Sequence, residues 1–370
     1  MKNPILAMSL GCPAGVGPVV AVRAAARAHE HRCVLVGDPA VVAKAIAASD
    51  LDVGFSTVAS REEVEALPTG TLAVYAKSAE LGARLVPGKP DAPAGSAQLS
   101  WIDQALELVT RGFADALVTG PVSKHAIATS GARGSATFLG HTEHLAHKLR
   151  SKEVVMAFWS PELTTALVTT HLPLAAVPKA IRPRDVAMAT YWLARLLAAL
   201  GSRSPRVAVA SLNPHAGEGG LLGNEETKKI APGIELARER LRDERRSARI
   251  EGPVGAETAF RRAIQREGAR YDGVVAMYHD QATIPMKLLA FGDAVNVTLG
   301  LPIIRTSVDH GTGYDIAWKK SADAAGMIEA ASLAARLVKS GYLNRRARSS
   351  LGVVPSFGSS FSPARADARK

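Results

Sequence analysis

The chain of 370 residues contains little cysteine and few aromatic residues. Two cysteines, Cys12 and Cys33, are too few for a disulfide framework, so nothing indicates an oxidising compartment. Aromatic residues make up 5% of the chain and hydrophobic residues 47%. The core must therefore be built mainly from Ala, Val, Leu and Ile. This length favours two α/β domains over one simple core.

Long hydrophobic runs are also missing. No stretch approaches the ~18 consecutive apolar residues of a membrane-spanning helix. The apolar run Pro4–Leu10 is too short for the core of a signal peptide, and no small-residue cleavage site follows it. We therefore expect a cytoplasmic protein with no membrane segment.

Positive charge is in excess, with a net charge of +11. Six Arg and Lys residues and a single acid, Asp367, lie in the last segment, Ser340–Lys370. Its end, residues 346–370, is rich in Ser, Gly and Pro and is predicted to be a flexible basic tail. The other positive charges form no stripe interleaved with aromatic residues, so we expect no nucleic-acid partner. An anionic substrate and cofactor explain a modest positive field equally well.

Short apolar runs alternate with Ala- and Leu-rich helical patterns along the chain. Strands are predicted at Ile5–Leu10, Cys33–Val36, Thr71–Tyr75, Ala116–Val118, Val154–Phe158, Thr165–Thr169, Val207–Ala210, Gly273–Ala276 and Ala294–Leu301. Helices are predicted at Val19–His29, Pro39–Ala48, Ser96–Thr110, Ala187–Leu200, Thr227–Arg242 and Ala322–Val338. This alternation is typical of parallel or mixed sheets covered by helices. The charged stretch Glu235–Arg249 is interpreted as a solvated helix face.

Familiar cofactor and metal motifs are lacking. The glycine-rich segment 11–18 has neither the G-x-G-x-x-G nor the P-loop spacing, so it is only a weak indication of a ligand-binding turn. No HExxH or CxxC spacing occurs either. Three histidines, His171, His215 and His279, each directly follow an apolar strand. Brought together, they would form an open metal site, although an isolated histidine is more often structural.

Two further segments carry polar groups at strand ends. Lys287 and Arg305 bracket the apolar run Ala294–Leu301 in uncharged surroundings, which favours capture of a phosphate or carboxylate over ordinary surface charge. The segment His310–Ala317 begins with a His-Gly turn and contains an acid, Asp315. Such a loop could hold a nucleotide, with Asp315 accepting a hydrogen bond from a ribose hydroxyl. A plain loop is the competing interpretation.

Taken together, the motifs resemble the 4-hydroxythreonine-4-phosphate dehydrogenase family of vitamin B6 synthesis. The similarity runs in order from about Ala7 to Leu337. The blocks that carry it are LVTGPVSK (117–124), GHTEHLA (140–146), TTHLPL (169–174), LNPHAGEGG (212–220), MYHDQ (277–281) and VNVTLGLPIIRTSVDHGT (295–312).

The resemblance implies a two-domain α/β fold of the isocitrate and isopropylmalate dehydrogenase type, with the active site in the interdomain cleft. Residues 1–125 with 300–345 would form the first domain, on the side of the cofactor loop. Residues 126–299 would form the second domain, which holds the metal and the substrate. A homodimer with shared active sites is also implied.

The resemblance assigns roles to individual residues by motif. The metal ligands would be His171, His215 and His279. The substrate contacts would be His141, Thr142, Lys287, Asn296 and Arg305. The cofactor, NAD or NADP, would contact His310, Gly311 and Asp315. His279 and Asp280 would be catalytic, with Asp280 orienting a metal-bound histidine or relaying a proton.

The implied reaction is the metal- and NAD(P)-dependent oxidation and decarboxylation of 4-phosphooxy-L-threonine to 3-amino-2-oxopropyl phosphate in pyridoxal phosphate biosynthesis. One divalent metal is expected, and Zn²⁺, Co²⁺, Mg²⁺ and Mn²⁺ all suit such a site. The segments IPMKLL (284–289) and DIAW (315–318) look more like a paralogous branch that acts on D-threonate or D-erythronate 4-phosphate.

Two remoter alternatives stay open. An aromatic dihydrodiol dehydrogenase ranks low because the phosphate-binding set is intact. A non-catalytic binding protein is motivated by departures from the family's usual opening, which has Asp and Glu where this chain has Cys12 and Val19. Gly313 and Tyr314 also replace a usual small apolar pair in the cofactor loop.

Overall fold

The computed structural model describes residues 3–77, 81, 85–264 and 270–343. The predicted basic tail, 346–370, lies outside these residues. The strands are β1 (Ile5–Ser9), β2 (Arg32–Val36), β3 (Gly54–Thr57), β4 (Thr71–Tyr75), β5 (Ala116–Thr119), β6 (Val155–Trp159), β7 (Thr164–Leu167), β8 (Arg206–Ala210), β9 (Arg249–Val254), β10 (Gly273–Ala276), β11 (Val295–Leu299) and β12 (Arg305–Val308).

Helices connect most of these strands. They are α1 (Gly17–Ala26), α2 (Pro39–Ser49), α3 (Arg61–Ala66), α4 (Ala92–Thr110), α5 (Lys124–Ala128), α6 (His141–Lys148), α7 (Val177–Ala180), α8 (Pro183–Ala199), α9 (Ala231–Asp243), α10 (Ala256–Ile264), α11 (His279–Leu289) and α12 (Ala325–Lys339). Several begin at an Asp or Ser whose side chain accepts a hydrogen bond from a free backbone N–H, as Asp38 does for α2 and Ser123 for α5.

The strands form one mixed sheet in the order β3-β4-β2-β1-β5-β12-β11-β6-β7-β10-β8-β9. Its centre is antiparallel, because β11 runs opposite to both neighbours, β12 and β6. The predicted α/β class is confirmed. Strands from residues 5–119 together with β12 fill one half of the order, and strands from residues 155–299 fill the other. This order agrees with the predicted division into two domains, whose bounds stay a prediction.

Burial explains why the central strands were visible in the sequence. Every residue of β1, β5, β7 and β10 is buried, because helices cover both faces of the sheet. Such strands consist of continuous apolar runs without a polar alternation.

Three strands were missed because their composition is atypical. β3 is a partly exposed edge strand of Gly, Phe, Ser and Thr, and β9 lies at the opposite edge and contains Gly252-Pro253. β12 begins with a charged residue, Arg305. The charged stretch 235–249 is not helical throughout, since α9 ends at Asp243 and Arg249 already belongs to β9.

None of the helices in the described part of the chain is long and apolar enough to span a lipid bilayer.

The contact of α4 with α5 provides a test of the packing. A Cβ added at Gly95 would lie 2.0 Å from the carbonyl oxygen of Ala126, whereas one added at Gly54 has no heavy atom within 4 Å. We expect Gly95→Ala to lower the free energy of unfolding by about 1–3 kcal/mol, since backbone atoms must move apart. Gly54→Ala is the matched control. Urea unfolding of both variants checks this, and equal stabilities would contradict the close approach of the two helices.

Candidate functional site

Arg305 is a buried cation without an acidic partner. Its side chain is only 3% exposed. Nη1 donates hydrogen bonds to Asn296 Oδ1 (3.1 Å) and Thr298 Oγ1 (2.9 Å), and Nη2 donates to Thr119 Oγ1 (2.7 Å). Burial lowers the pKa of Arg305 to about 9. These acceptors are all neutral, and no described carboxylate forms an ion pair with the guanidinium.

The strand register creates this cluster. Thr298 on β11 pairs with Arg305 on β12, and Asn296 lies two residues away on the same strand. Residues two apart on a strand point to the same face, so the amide and the hydroxyl both reach the guanidinium. The charge of Glu143 acts on the guanidinium but forms no ion pair with it. A buried charge that is hydrogen-bonded only to neutral groups is costly unless an anion joins it. The cluster could therefore accept an anion.

His141 and Thr142 lie beside this cluster at the start of α6. The Thr142 hydroxyl is 3.5 Å from the Thr298 hydroxyl that contacts Arg305. His141 Nε2 is buried and has no hydrogen-bond partner in the described residues. Burial, and secondarily the charge of Arg305, lowers the pKa of His141 well below its usual value. A neutral imidazole with an unsatisfied nitrogen is thus available to a ligand.

A second contact holds α6 in place. His144 Nε2 is 2.7 Å from Asp103 Oδ1 on α4, and Lys148 Nζ donates to Asp103 Oδ2 at 2.8 Å. These contacts fix the turn that carries His141.

Lys287 and Arg305 differ in their surroundings. Both were predicted to lie in core-like surroundings, which is right for Arg305 but wrong for Lys287, an exposed residue on the last turn of α11. Lys287 still belongs to the region. Its charge acts on the half-buried carboxyl of Asp309, whose pKa is raised by burial despite the charges of Lys287 and His279.

Two of the three predicted metal ligands lie next to each other. The rings of His171 and His279 have centroids 5.5 Å apart. His279 Nδ1 is 2.7 Å from Asp280 Oδ1, so its Nε2 is left free to bind a metal. A carboxylate bound to the other ring nitrogen is the usual partner of a metal-binding histidine.

His215 lies in a different kind of segment. It is exposed, and it has a φ of 52° at the start of a turn with further left-handed residues, Ala216 and Glu218. The buried carboxylate of Glu226 anchors this turn by accepting hydrogen bonds from the backbone N–H of Leu212 (2.9 Å) and Asn213 (2.8 Å). The turn therefore has a defined shape that presents His215 outward.

Within the residues that the structure describes, no group of three His, Cys, Asp or Glu side chains is arranged to hold a metal. The single chain brings together His171 and His279 but not His215. The three-histidine site stays a prediction that needs a further ligand.

The predicted cofactor residues follow β12. His310 Nε2 is buried without a described partner, Gly311 has open space where a side chain would be, and Asp315 is exposed. The loop is fastened to the glycine-rich segment after β1, because Val16 N donates to Thr312 O (2.9 Å) and Trp318 Nε1 donates to Pro13 O (2.9 Å).

The departures Cys12 and Tyr314 contact each other in this region. Cys12 is fully buried, and its Sγ lies 3.6 Å from the Tyr314 hydroxyl. Burial raises the pKa of the Cys12 thiol. The second departure, Val19, is also fully buried, within α1. Cys12 and Tyr314 thus pack the glycine-rich segment after β1 against the loop after β12, whereas Val19 packs in the core.

Sequence reasoning missed several groups near the site. Asp309 directly follows β12, and the charge of Lys124 reaches both His141 and His171. Glu257 lies close enough to His215 for its charge to be felt, although the hydrogen bond from Thr258 is the main reason that the pKa of Glu257 is lowered. Asp309 and Lys124 both lie inside the motif blocks quoted above and follow strands β12 and β5. That position could have indicated that they lie near the site.

The family comparison gives a direct result. The model of the family "Pyridoxal phosphate biosynthetic protein PdxA" matches residues 29–334. A relative named 4-hydroxythreonine-4-phosphate dehydrogenase from Trichlorobacter lovleyi is 40% identical over 339 residues, covering 90% of this chain and 98% of the relative.

Solved structures agree. A crystal structure of 4-hydroxythreonine-4-phosphate dehydrogenase from Klebsiella pneumoniae is similar with a TM-score of 0.79 and 32% identity, over 91% of this chain and 98% of that one. A terephthalate 1,2-cis-dihydrodiol dehydrogenase from Burkholderia xenovorans is similar with a TM-score of 0.64 and 30% identity, over 92% and 99%. The resemblance seen in the motifs is confirmed, and the chain belongs to the pyridoxal phosphate biosynthetic protein PdxA family.

Proposed function

We propose that this protein is a 4-hydroxythreonine-4-phosphate dehydrogenase that oxidises and decarboxylates its substrate with NAD or NADP and one divalent metal, in pyridoxal phosphate biosynthesis. The observation that carries the proposal is the buried, unpaired guanidinium of Arg305 in a chain of this family. A cytoplasmic location is part of the proposal, in keeping with a metabolic enzyme of this kind.

The substrate phosphate is assigned to the cluster around Arg305. A guanidinium N–H is a strong, charge-assisted donor to a phosphate oxygen, and burial strengthens the interaction because water is absent. Thr142 and Asn296 supply further polar groups, and the free His141 Nε2 adds a donor or acceptor. Lys287 contributes charge from the rim. Holding the phosphate in this way fixes the reacting carbon relative to the cofactor.

The metal is assigned to His171, His215 and His279. The free Nε2 of His279 and its Asp280 contact fit the chemistry of such a site. When bound, a divalent cation would polarise the substrate hydroxyl and stabilise the negative charge of an enolate. Asp280 is placed to orient His279 and to hold a proton at Oδ1 or Oδ2.

A homodimer with shared sites is part of the proposal, because His215 does not join the other two histidines within one chain. Large apolar side chains are exposed around these segments, which is typical of a contact surface. They are Leu172 (44% exposed), Leu174 (68%), Leu221 (85%), Ile284 (59%), Leu288 (82%) and Phe291 (85%). We propose that a second copy covers them and supplies its own His215.

NAD or NADP is assigned to the loop that follows β12. The exposed Asp315 can accept hydrogen bonds from ribose hydroxyls, and the unpartnered His310 Nε2 and the open space at Gly311 leave room for a nucleotide. The contact between Cys12 and Tyr314 sets the inner wall of this loop.

A second candidate substrate is D-threonate or D-erythronate 4-phosphate, which the segments 284–289 and 315–318 favour. Either molecule would use the same phosphate and metal groups. The two candidates differ in the group at carbon 2, an amine in one and a hydroxyl in the other.

Turnover of the competing substrates tests the function. We expect purified protein with a divalent metal and NAD or NADP to form reduced cofactor with 4-phosphooxy-L-threonine. The kcat/KM should exceed those for D-threonate and D-erythronate 4-phosphate by at least about tenfold, or ~1.4 kcal/mol. Oxidation of only the sugar-acid phosphates would overturn the vitamin B6 assignment, and no reduction with any of the three would favour a binding protein.

Mixed dimers test the shared site. His171→Ala and His215→Ala should each be inactive alone, but after joint refolding the heterodimer regains one intact site of its two. Statistical mixing then predicts about a quarter of wild-type activity.

The matched control mixes His171→Ala with His279→Ala. These two ligands come from the same chain in the proposal, so every site in this heterodimer lacks one ligand and no activity should return. Recovery in both mixtures, or in neither, would contradict the shared arrangement.

A further inference from the structure

A cavity of about 210 Å³ lies between the ends of α8 and α9, and none of the residues assigned to the proposed active site lines it. Four of its lining residues are arginines: Arg195, Arg203, Arg245 and Arg246. We propose that this cavity is a second anion site, which binds a small molecule that carries a phosphate group.

The arginines are largely free of acidic partners. Arg246 Nε donates to Glu244 Oε2 at 2.9 Å. The side chains of Arg203 and Arg245, by contrast, form no hydrogen bond or ion pair with any described residue, and both are exposed at the rim. Four cations thus converge with one carboxylate in contact. Their mutual repulsion is relieved when an anion binds between them.

Arg195 is held in a fixed position at the back of the cavity. Its guanidinium carbon lies 4.9 Å from the ring centre of Trp192 and 5.6 Å from that of Tyr342. Nη2 donates to Tyr342 O (3.1 Å), while Nε is buried and has no described partner. Rings on its faces restrict a guanidinium's rotamers, so less entropy is lost on binding.

The nearby carboxylates are already engaged. Both oxygens of Glu244 accept from the Tyr191 hydroxyl at 2.7 Å, and Glu153 pairs with Arg240 at 2.7 Å. These contacts hold α8 against α9. Glu244 therefore offsets part of the charge through Arg246, whereas the side chains of Arg203 and Arg245 stay without an acidic partner among the described residues.

The cavity is separate from the catalytic region. Arg203 precedes β8, whereas His215 follows it, so they lie at opposite ends of a strand about 17 Å long. A ligand here would not compete with the substrate for Arg305.

The chemistry favours a phosphate. Guanidinium groups match phosphate oxygens in pairs, and arginine is preferred to lysine where this geometry matters. A recess of this volume admits a phosphate or a small phosphomonoester, whereas a nucleic acid would need an extended basic surface.

Isothermal titration of the full chain with inorganic phosphate, at constant ionic strength, tests the site. The variant is the double substitution Arg203→Gln with Arg245→Gln, and the matched control is Arg242→Gln on the same helix end, which does not line the cavity. We expect one phosphate site per chain to weaken at least tenfold in the double variant and to be unchanged in the control, with kcat/KM unaltered. Circular dichroism melting verifies that all variants fold.

Glycerol 3-phosphate forms the second arm of the titration. Binding of both probes identifies a phosphomonoester site, and binding of inorganic phosphate alone identifies a site for the free ion; each supports the proposal. The proposal would be overturned if the double variant bound phosphate as tightly as wild type. It would also be overturned if wild type showed no phosphate site with an affinity that the double substitution lowers.

Discussion

The structure depends on a guanidinium that is buried and hydrogen-bonded only to neutral groups. Arg305 begins a central strand, and its neutral partners come from the two flanking strands, Thr119 from β5 and Asn296 and Thr298 from β11. The sheet order places β5, β12 and β11 side by side. The pairing of these strands therefore also brings together the polar groups around Arg305. Such a charge destabilises the empty protein. In the proposed function, binding of the substrate phosphate offsets that cost and so couples occupancy to stability.

The proposed metal site is arranged differently, because the described residues of one chain bring together only two of its three histidines. His171 and His279 are adjacent, whereas His215 is presented outward by a turn fixed through Glu226. The left-handed backbone at His215 and Ala216 keeps the turn in a conformation that most residues avoid. In the proposed homodimer, this turn would present His215 to the second chain, which would cover the exposed imidazole and its apolar neighbours.

Much of this could be predicted from sequence. Buried strands such as β1 and β5 consist of largely apolar runs, and polar residues directly after strands indicated the region of the proposed site. Periodicity missed β3, β9 and β12, since edge strands and a strand opening with a charge lack the usual pattern. The exposure of Lys287 and the proximity of Asp309 depend on how α11 packs across the sheet. Local sequence predicts neither this packing nor the cavity beside Arg195, because both depend on residues far apart in the chain.

The most direct measurement compares phosphorylated and unphosphorylated 4-hydroxythreonine as substrates of wild-type protein and of Arg305→Ala. If the buried guanidinium recognises the phosphate, its loss should remove about 1.5–3 kcal/mol of the preference in kcat/KM for the phosphorylated substrate, roughly 10- to 150-fold. Activity toward the unphosphorylated molecule should change little. An unchanged preference would contradict the account, because Arg305 would then be buried for a reason other than binding the anion.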